Sequence, residues 1–180
     1  MPSPELLIRP SVDDDLPAIA ALYGWHVANG TGTFETAAPT VDEMARRRAD
    51  VLARGMPWLV LERAGRVDGY ACANWFRPRP GYRFCLEDSI YLAPDAAGRG
   101  RGRLLLAELL TRCEAAGARQ MLAVIGDSAN AASIGVHRSL GFEPAGTLKA
   151  AGWKFDRWLD VVMMQRSLGS GSATPAPPAA

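Results

Sequence analysis

Apolar and polar positions alternate in two distinct rhythms along this chain, and the rhythm changes mark its elements. Leu6-Leu-Ile-Arg9 is a short strand-like run. From Asp13 to about Val27 the apolar residues Leu16, Ile19, Ala20, Leu22, Tyr23 and Val27 recur at helical spacing, which predicts an amphipathic helix. A loop rich in Thr and Gly spans Gly30 to Pro39. Thr40-Val-Asp-Glu43 then has the pattern of a capping box, so a second helix is expected to start there and to stop near Gly55. Trp58–Glu62 and Val67–Trp75 read as strands joined through Ala64-Gly65-Arg66, a hairpin. The segment Phe76-Arg-Pro-Arg-Pro-Gly81 breaks the pattern, and Tyr82–Leu92 resumes it as a long strand.

Further on, Arg101–Ala116 has one apolar face and ends at Gly117. Met121–Ile125 is a buried strand, Asn130–Leu140 a short helix ended by Gly141, and Glu143–Ala151 and about Trp158–Arg166 are two last strands. The expected order is β-α-α-β-β-β-α-β-α-β-β, an α+β arrangement with a mixed sheet flanked by helices. Residues 1–168 form one domain in this reading. Residues 169–180, Gly/Ser and then Pro/Ala, lack the hydrophobicity to offset ordering entropy and are expected to be disordered.

Composition narrows the function. At 180 residues the chain suits a single core, and its net charge of +1 argues against a general nucleic-acid binder or attraction to an acidic membrane. No apolar run approaches the ~18 residues of a membrane span. Met1–Glu5 has neither the basic nor the apolar region of a signal peptide, so a cytoplasmic location is expected. Cys72, Cys85 and Cys113 show no paired spacing and read as reduced, structural thiols. No His/Cys/Asp cluster has metal-ligand spacing, so no metal is expected.

The main chemical signal lies where strand Ser89–Leu92 runs through Ala93-Pro-Asp-Ala-Ala97 into Gly98-Arg99-Gly100-Arg101-Gly102-Arg103 and a helix. Glycines allow close backbone approach and positive φ. Unbonded N–H groups at a helix start carry partial positive charge, so strand, glycine loop and helix together make an anion site. Arg99, Arg101 and Arg103 add charge that reaches phosphates. Gly-Lys-Ser/Thr is absent, which argues against a P-loop. The preceding chain is not a βαβ unit, which argues against a dinucleotide fold. A structural turn remains an alternative, as does, more remotely, an RNA-binding Gly-Arg tract.

Several separated motifs in order resemble the GNAT superfamily of N-acetyltransferases, and within it the phosphinothricin/methionine sulfoximine acetyltransferase group, over about residues 6–168. The coenzyme loop of that superfamily reads Arg/Gln-x-x-Gly-x-Gly/Ala. Here Ala97 stands first, and Gly100 and Gly102 match. A second motif, Asn-x-x-Ser/Ala-x-x-x-Tyr-x-x-x-Gly-Phe, appears as Asn130, Ser133, His137, Gly141 and Phe142, with His in place of Tyr. Phe34 in Gly-Thr-Phe-Glu-Thr, Glu87 in Leu-Glu-Asp-Ser-Ile-Tyr-Leu, and Ala151-Gly-Trp-Lys-Phe-Asp-Arg-Trp-Leu-Asp160 match the subgroup.

The resemblance implies a mostly antiparallel sheet splayed at the coenzyme strand, with acetyl-CoA as co-substrate. It implies contacts from the backbone of Ile90, Tyr91 and Leu92, the loop from Gly98 to Arg103, Asn130 and Ser133. It also implies direct attack in a ternary complex, and a homodimer.

Acyl transfer to an amine needs a neutral nitrogen, and a positioned base is worth roughly 10²–10⁴ in rate. Glu87, acidic within an apolar strand that leads to the loop, is the candidate base; a salt bridge to Arg77, Arg79 or Arg83 is the alternative. Asp88 points to the opposite face and is the second candidate. His137 is a candidate proton donor to the leaving thiolate or a relay for the amine proton. His26 reads as structural. Asn130 either bonds the pantetheine amide or caps a helix.

Arg77 and Arg79, two apart in a proline-stiffened loop, are placed to clamp a doubly anionic acceptor, with Phe34, Trp75 and Tyr82 as apolar walls; a solvated basic loop is the alternative. Trp153, Lys154, Trp158 and Asp160 read mainly as core and dimer contacts. The expected substrate is a small anionic amino-acid analogue. The alternatives are another amine (an amino acid, a polyamine or a peptide N-terminus), or a coenzyme-binding module without activity.

Overall fold

The structure is a computed structural model, and it describes residues 6–176. The observed order is β1 (Leu6–Pro10), α1 (Leu16–Asn29), α2 (Val41–Ala53), β2 (Trp58–Arg63), β3 (Arg66–Trp75), β4 (Cys85–Leu92), α3 (Arg101–Ala115), β5 (Gln120–Gly126), α4 (Ala131–Ser139), β6 (Glu143–Lys154) and β7 (Arg157–Ser167). It reproduces the expected sequence of elements. Three boundaries move by three residues: Asp13–Asp15 is a 3₁₀ turn and α1 starts at Leu16, β6 runs on to Lys154 rather than ending at Ala151, and Pro80–Tyr82 forms a 3₁₀ turn, so β4 starts at Cys85 rather than at Tyr82. Proline at the first position of that turn suits a tight helical start and has no N–H to offer a strand ladder.

The strands form one seven-stranded sheet in the order β1-β2-β3-β4-β5-β7-β6. Neighbours are antiparallel except β4 and β5, which are parallel. The β2–β3 hairpin turns on Ala64 and Gly65, both at positive φ, as the right-handed twist of the flanking strands requires. Thr40 caps α2 by accepting from the Glu43 amide.

Alternation along β4 sorts its neighbours. Tyr91 packs edge-on against Tyr23 of α1, at 4.9 Å between ring centroids. Leu92, on the other face, lies beneath Gly102 of α3. Helix α1 therefore covers the face carrying Glu87, Ser89 and Tyr91, and α3 with α4 covers the face carrying Asp88 and Leu92. The core fills both layers, with Ile19, Leu61, Leu86, Leu105, Leu106 and Leu109 fully buried.

The parallel pairing is short. Strand β4 matches β5 only at Cys85↔Gln120, Leu86↔Met121 and Glu87↔Leu122. Beyond that point β4 stays paired with β3 as far as Leu92, and β5 stays paired with β7 as far as Gly126. The two strands diverge into a V whose apex is at Glu87, the splay expected of the coenzyme strand.

Residues 169–176, the first part of the expected disordered tail, are described as turns and coil. Arg119 donates to Gly171 O at 3.1 Å and to Thr174 Oγ1 at 3.0 Å. The rest of that tail, 177–180, lies outside the described residues, as does 1–5.

Candidate active site

The V opens into a cavity of about 1110 Å³ bounded by β4, β5, α4, the start of α3 and the loop after α1. Pockets for single small ligands run to roughly 1,000 Å³, so this one has room for a large coenzyme and a small acceptor together. From Asp88 to Leu92 the edge of β4 facing β5 has no strand partner, so backbone amides there are available to a ligand. Ile90, Tyr91 and Leu92 line the cavity.

At its far end Gly98 and Gly100 hold φ of +73° and +74°. A Cβ built at either meets nothing within 4 Å, so the glycines are there for backbone conformation and not for space. Gly100 is the N-cap of α3 and has no side chain to occupy the first amides of the helix. Gly102 is buried against Leu92 and Val136, where the helix passes close to the strand. Gly98, Gly100, Gly102 and Arg103 all line the cavity, as an anion site demands.

One of the expected arginine contacts is corrected. Arg101 turns away: its guanidinium meets Asp68 at 3.1 Å. Asp68 is wholly buried and also binds Arg63 and Arg66, both at 2.6 Å. A buried carboxylate needs cations close by, and that need takes Arg101. Arg99 is exposed and lies outside the cavity wall. Arg103 and Arg157 are the arginines in the lining, and Arg157 is paired with Asp127 at 2.8 Å.

Glu87 stands at the apex, half-buried and in the lining. Among the described residues no arginine forms an ion pair with it. Burial raises its proton affinity above the ordinary carboxylate value, the neighbouring Asp88 charge adds to this, and the Arg77 charge opposes it in part.

Asp88 and His137 face each other on the other side of β4. His137 Nε2 lies 3.0 Å from Asp88 Oδ2, and its Nδ1 lies 2.7 Å from the Ser133 carbonyl oxygen. A carbonyl only accepts, so Nδ1 carries a hydrogen. Burial alone would lower the proton affinity of His137; the Asp88 hydrogen bond and charge, with the Ser133 carbonyl, outweigh it and raise it. Both ring nitrogens are thus occupied. The expected delivery of a proton from His137 directly to a leaving thiolate is corrected, because Nε2 is committed to Asp88. Asp88, paired and buried, is likewise not placed as an alternative base.

Asn130 caps α4: its Oδ1 accepts from the Ser133 amide at 3.2 Å. Asn130 and Ser133 still line the cavity. The helix-start reading of Asn130 is therefore correct for its oxygen, which is spent on the cap.

The wall opposite the coenzyme loop is the segment Gly30–Phe34. It is held from several sides. Tyr23 Oη lies 2.8 Å from Thr33 Oγ1 and donates to Glu35 at 2.9 Å, and Arg47 pairs with Glu35 at 2.7 Å. Lys154, buried at the end of β6, donates to the carbonyls of Gly30 and Thr33, each at 2.8 Å. Phe34 is wedged between Gly126 and Gly152, where added Cβ atoms would sit 3.3 Å and 2.0 Å from its ring.

The other expected acceptor residues do not reach the cavity lining. Trp75 lies under Arg54, whose guanidinium is 5.4 Å from its ring. Arg77 folds back over Phe76 at 4.1 Å instead of projecting beside Arg79, because a guanidinium gains by covering an aromatic face. Arg79 and Tyr82 are exposed. This loop flanks the start of β4, with the Phe76 amide bonded to Cys85 O at 3.0 Å. Trp153 and Trp158 are about half and more than half exposed, so the core part of their reading does not hold for them.

Several contributors had no role at the site assigned from the sequence. His26 Nε2 donates to Leu92 O at 2.8 Å and lines the cavity, and burial lowers its proton affinity. Lys154 and Arg157 act through partners far away in the chain. A 3.6-residue pattern shows which face His26 is on but not what lies across from it.

These features fit a transferase cleft: a V in a mixed sheet, a glycine-capped helix start suited to an anion at one end, and a carboxylate with raised proton affinity at the other. The chain belongs to the acetyltransferase (GNAT) family, whose model matches residues 19–142. It is 53% identical over 167 residues, 93% of this chain and 85% of the relative, to a phosphinothricin N-acetyltransferase of Alcaligenes faecalis. It is 42% identical over 172 residues, 93% of this chain and 98% of the relative, to an L-methionine sulfoximine/L-methionine sulfone acetyltransferase of Pseudomonas paraeruginosa. Among solved structures it superposes on a GNAT superfamily phosphinothricin acetyltransferase from Sinorhizobium meliloti in complex with AcCoA, with a TM-score of 0.92, 47% identity and coverage of 96% of this chain and 93% of that one.

Proposed function

We propose that this chain transfers the acetyl group of acetyl-CoA to the α-amine of a small anionic amino-acid analogue of the phosphinothricin or methionine sulfoximine type. The observation that carries the mechanism is Glu87: a half-buried carboxylate at the apex of the V, without an ion pair among the described residues, and with raised proton affinity. Acetyl-CoA supplies a thioester whose carbonyl carbon accepts the amine. Glu87 takes the proton that the amine must lose, directly or through one water. The new C–N bond replaces the C–S bond, and the thiolate leaves with a proton from solvent. The open edge of β4 from Ile90 to Leu92 offers amides to the pantetheine arm and to the developing oxyanion. The amides at the start of α3, with Arg103, hold the pyrophosphate.

No cysteine is placed as a nucleophile. Burial pushes the Cys113 thiol up to about 12 and raises Cys72 and Cys85 too, so none is poised as a thiolate. Direct attack within a ternary complex fits this.

The acceptor lies over Glu87, with its stem against Phe34 and its anionic groups toward the loop of Trp75, Arg77, Arg79 and Tyr82. The influence of Arg77 on Glu87 supports this orientation. The position of both arginines outside the cavity lining favours a second reading, a less anionic amine. A thiol-release assay over a panel of amines separates the two. Phosphinothricin, methionine sulfoximine and methionine sulfone should be the best acceptors. Their failure, with turnover of another amine, would overturn the substrate assignment. Coenzyme binding without thiol release for any amine would point to a binding module.

The enzyme acts as a homodimer in the cytoplasm in this reading. Strand β6 is exposed along almost its whole length, and Leu148, Trp153, Phe155 and Trp158 form an apolar surface at that edge. Long exposed edges of this kind are normally covered. Sedimentation equilibrium tests it, with a monomer as the contrary result. No helix among the described residues is long and apolar enough to cross a membrane.

A further inference from the structure

We propose that Asp88 and His137 are positioning residues: their buried pair clamps α4 to β4 at the apex of the V and so sets the gap that receives the thioester end of the coenzyme. The inference rests on the acetyl-transfer reading above.

The location is the first argument. Pairing of β4 with β5 ends at Glu87↔Leu122, so Asp88 is the first residue of β4 to lose its strand partner on that side. No β5 backbone holds β4 from there on. Helix α4 comes across the opening at that level, and His137 is the side chain that reaches β4. The same helix presents Asn130 and Ser133 to the cavity. Its distance from β4 therefore determines how wide the cleft is where the coenzyme must thread it.

Bond counting is the second. His137 Nδ1 is held by its own helix through Ser133 O, so the ring cannot rotate without losing that bond. Phe142 packs edge-on against the ring at 5.0 Å. On the β4 side, Asp88 Oδ1 is buried with no hydrogen-bond partner among the described residues, so the orientation of the carboxylate depends on His137 alone. The side chains are 3% and 2% exposed, and water cannot replace either partner cheaply.

The third is the electrostatic setting. Asp88 is faced by Cys113 of α3 and by His137 from α4, with Glu87 beside it on β4; Cys72 of β3 is opposite Ser89 and so lies on the other face, where its thiol still feels the Asp88 charge. Glu87 shares a strand with this carboxylate, so the pair bears on the base as well as on the cleft.

The test compares wild type with Asp88→Asn, Asp88→Ala, His137→Ala and the Asp88→Ala/His137→Ala double variant. The affinity for acetyl-CoA is read by calorimetry and the pH dependence of kcat/KM by thiol release, below the melting point of each variant. Asp88→Ala and His137→Ala should each weaken coenzyme binding about tenfold, and the double variant should be no weaker than either, because one clamp is lost only once. Asp88→Asn keeps the shape and lets its amide donate to a neutral Nε2, so it should recover most of that affinity. Its acid limb should move down by roughly half a pH unit, since a negative neighbour of Glu87 is gone.

Lower melting points with unchanged coenzyme affinity and an unchanged pH profile would overturn the proposal, as would multiplicative effects in the double variant. Calorimetry reports on the clamp even if the wild type acetylates nothing on the panel, so failure of the acetyl-transfer reading would be seen separately.

Discussion

Gly152→Ala gives a sharp test of how the acceptor wall is built. The backbone of Gly152 is not in the left-handed region, so alanine is not strained there. Its Cβ, however, would stand 2.0, 2.4 and 2.8 Å from three atoms of the Phe34 ring. Carbon atoms in contact prefer about 3.5 Å, so the ring must retreat by roughly 1.5 Å. Retreat is obstructed, because the Phe34 ring lies also against the backbone of Gly126. Overpacking of this kind costs about 1–3 kcal/mol. For a domain of this length, that lowers Tm by roughly 2–12 °C. The acceptor KM should rise several-fold while coenzyme affinity stays, since the anion loop is at the other end of the cavity. Phe34→Leu in the same background should relieve the clash, with a coupling of about 0.5–3 kcal/mol in a double-mutant cycle. Additive effects on Tm, or an unchanged acceptor KM in Gly152→Ala, would refute the reasoning.

Three further outcomes follow from the same geometry. Lys154→Met leaves the Gly30 and Thr33 carbonyls without their donor, at about 1–3 kcal/mol for each one left unsatisfied; a lower Tm by thermal melting and a higher acceptor KM are expected. Gly100→Ala forces an L-residue to a φ of +74° with no steric clash, so it should cost about 1–2 kcal/mol and weaken coenzyme affinity with kcat nearly kept. The proton affinity of Glu87 is raised and the working base is its carboxylate, so kcat/KM should rise with pH along a limb centred above the usual carboxylate value of about 4.3. A limb at or below that value in the pH–rate profile would contradict the role assigned to burial.

Local patterns carried the elements, and contacts across long sequence separations carried most of what was not legible. Alternation and 3.6-residue periodicity were enough for the strands and helices, and the run from Ser89 to Arg103 pointed to a candidate anion site through its glycines and the helix start that follows them. The retreat of Arg101 could not be read, because Asp68 and its other arginine partners lie in a different hairpin. The same holds for His137 and Asp88, 49 residues apart. Spacing marked His137 as significant but could not show both nitrogens occupied. Arg77 and Arg79 were read from strand geometry, in which residues two apart project together, and the stacking of Arg77 on Phe76 defeats that rule. Trp153 and Trp158 were read as core and dimer contacts because large aromatics usually pack; on an outer strand pair they face outward, so the core part of that reading does not hold.

The most direct measurement is turnover of phosphinothricin by the wild type and Glu87→Gln, with acetyl-CoA affinity determined on the same samples. The substitution keeps size and removes the basic oxygen. Acetylation by the wild type is expected, with a loss of roughly 10²–10⁴ in kcat for Glu87→Gln and coenzyme affinity within a few-fold. Equal kcat in the two proteins would contradict Glu87 as the base, and binding of acetyl-CoA by the wild type with no thiol released would contradict acetyl transfer to this acceptor.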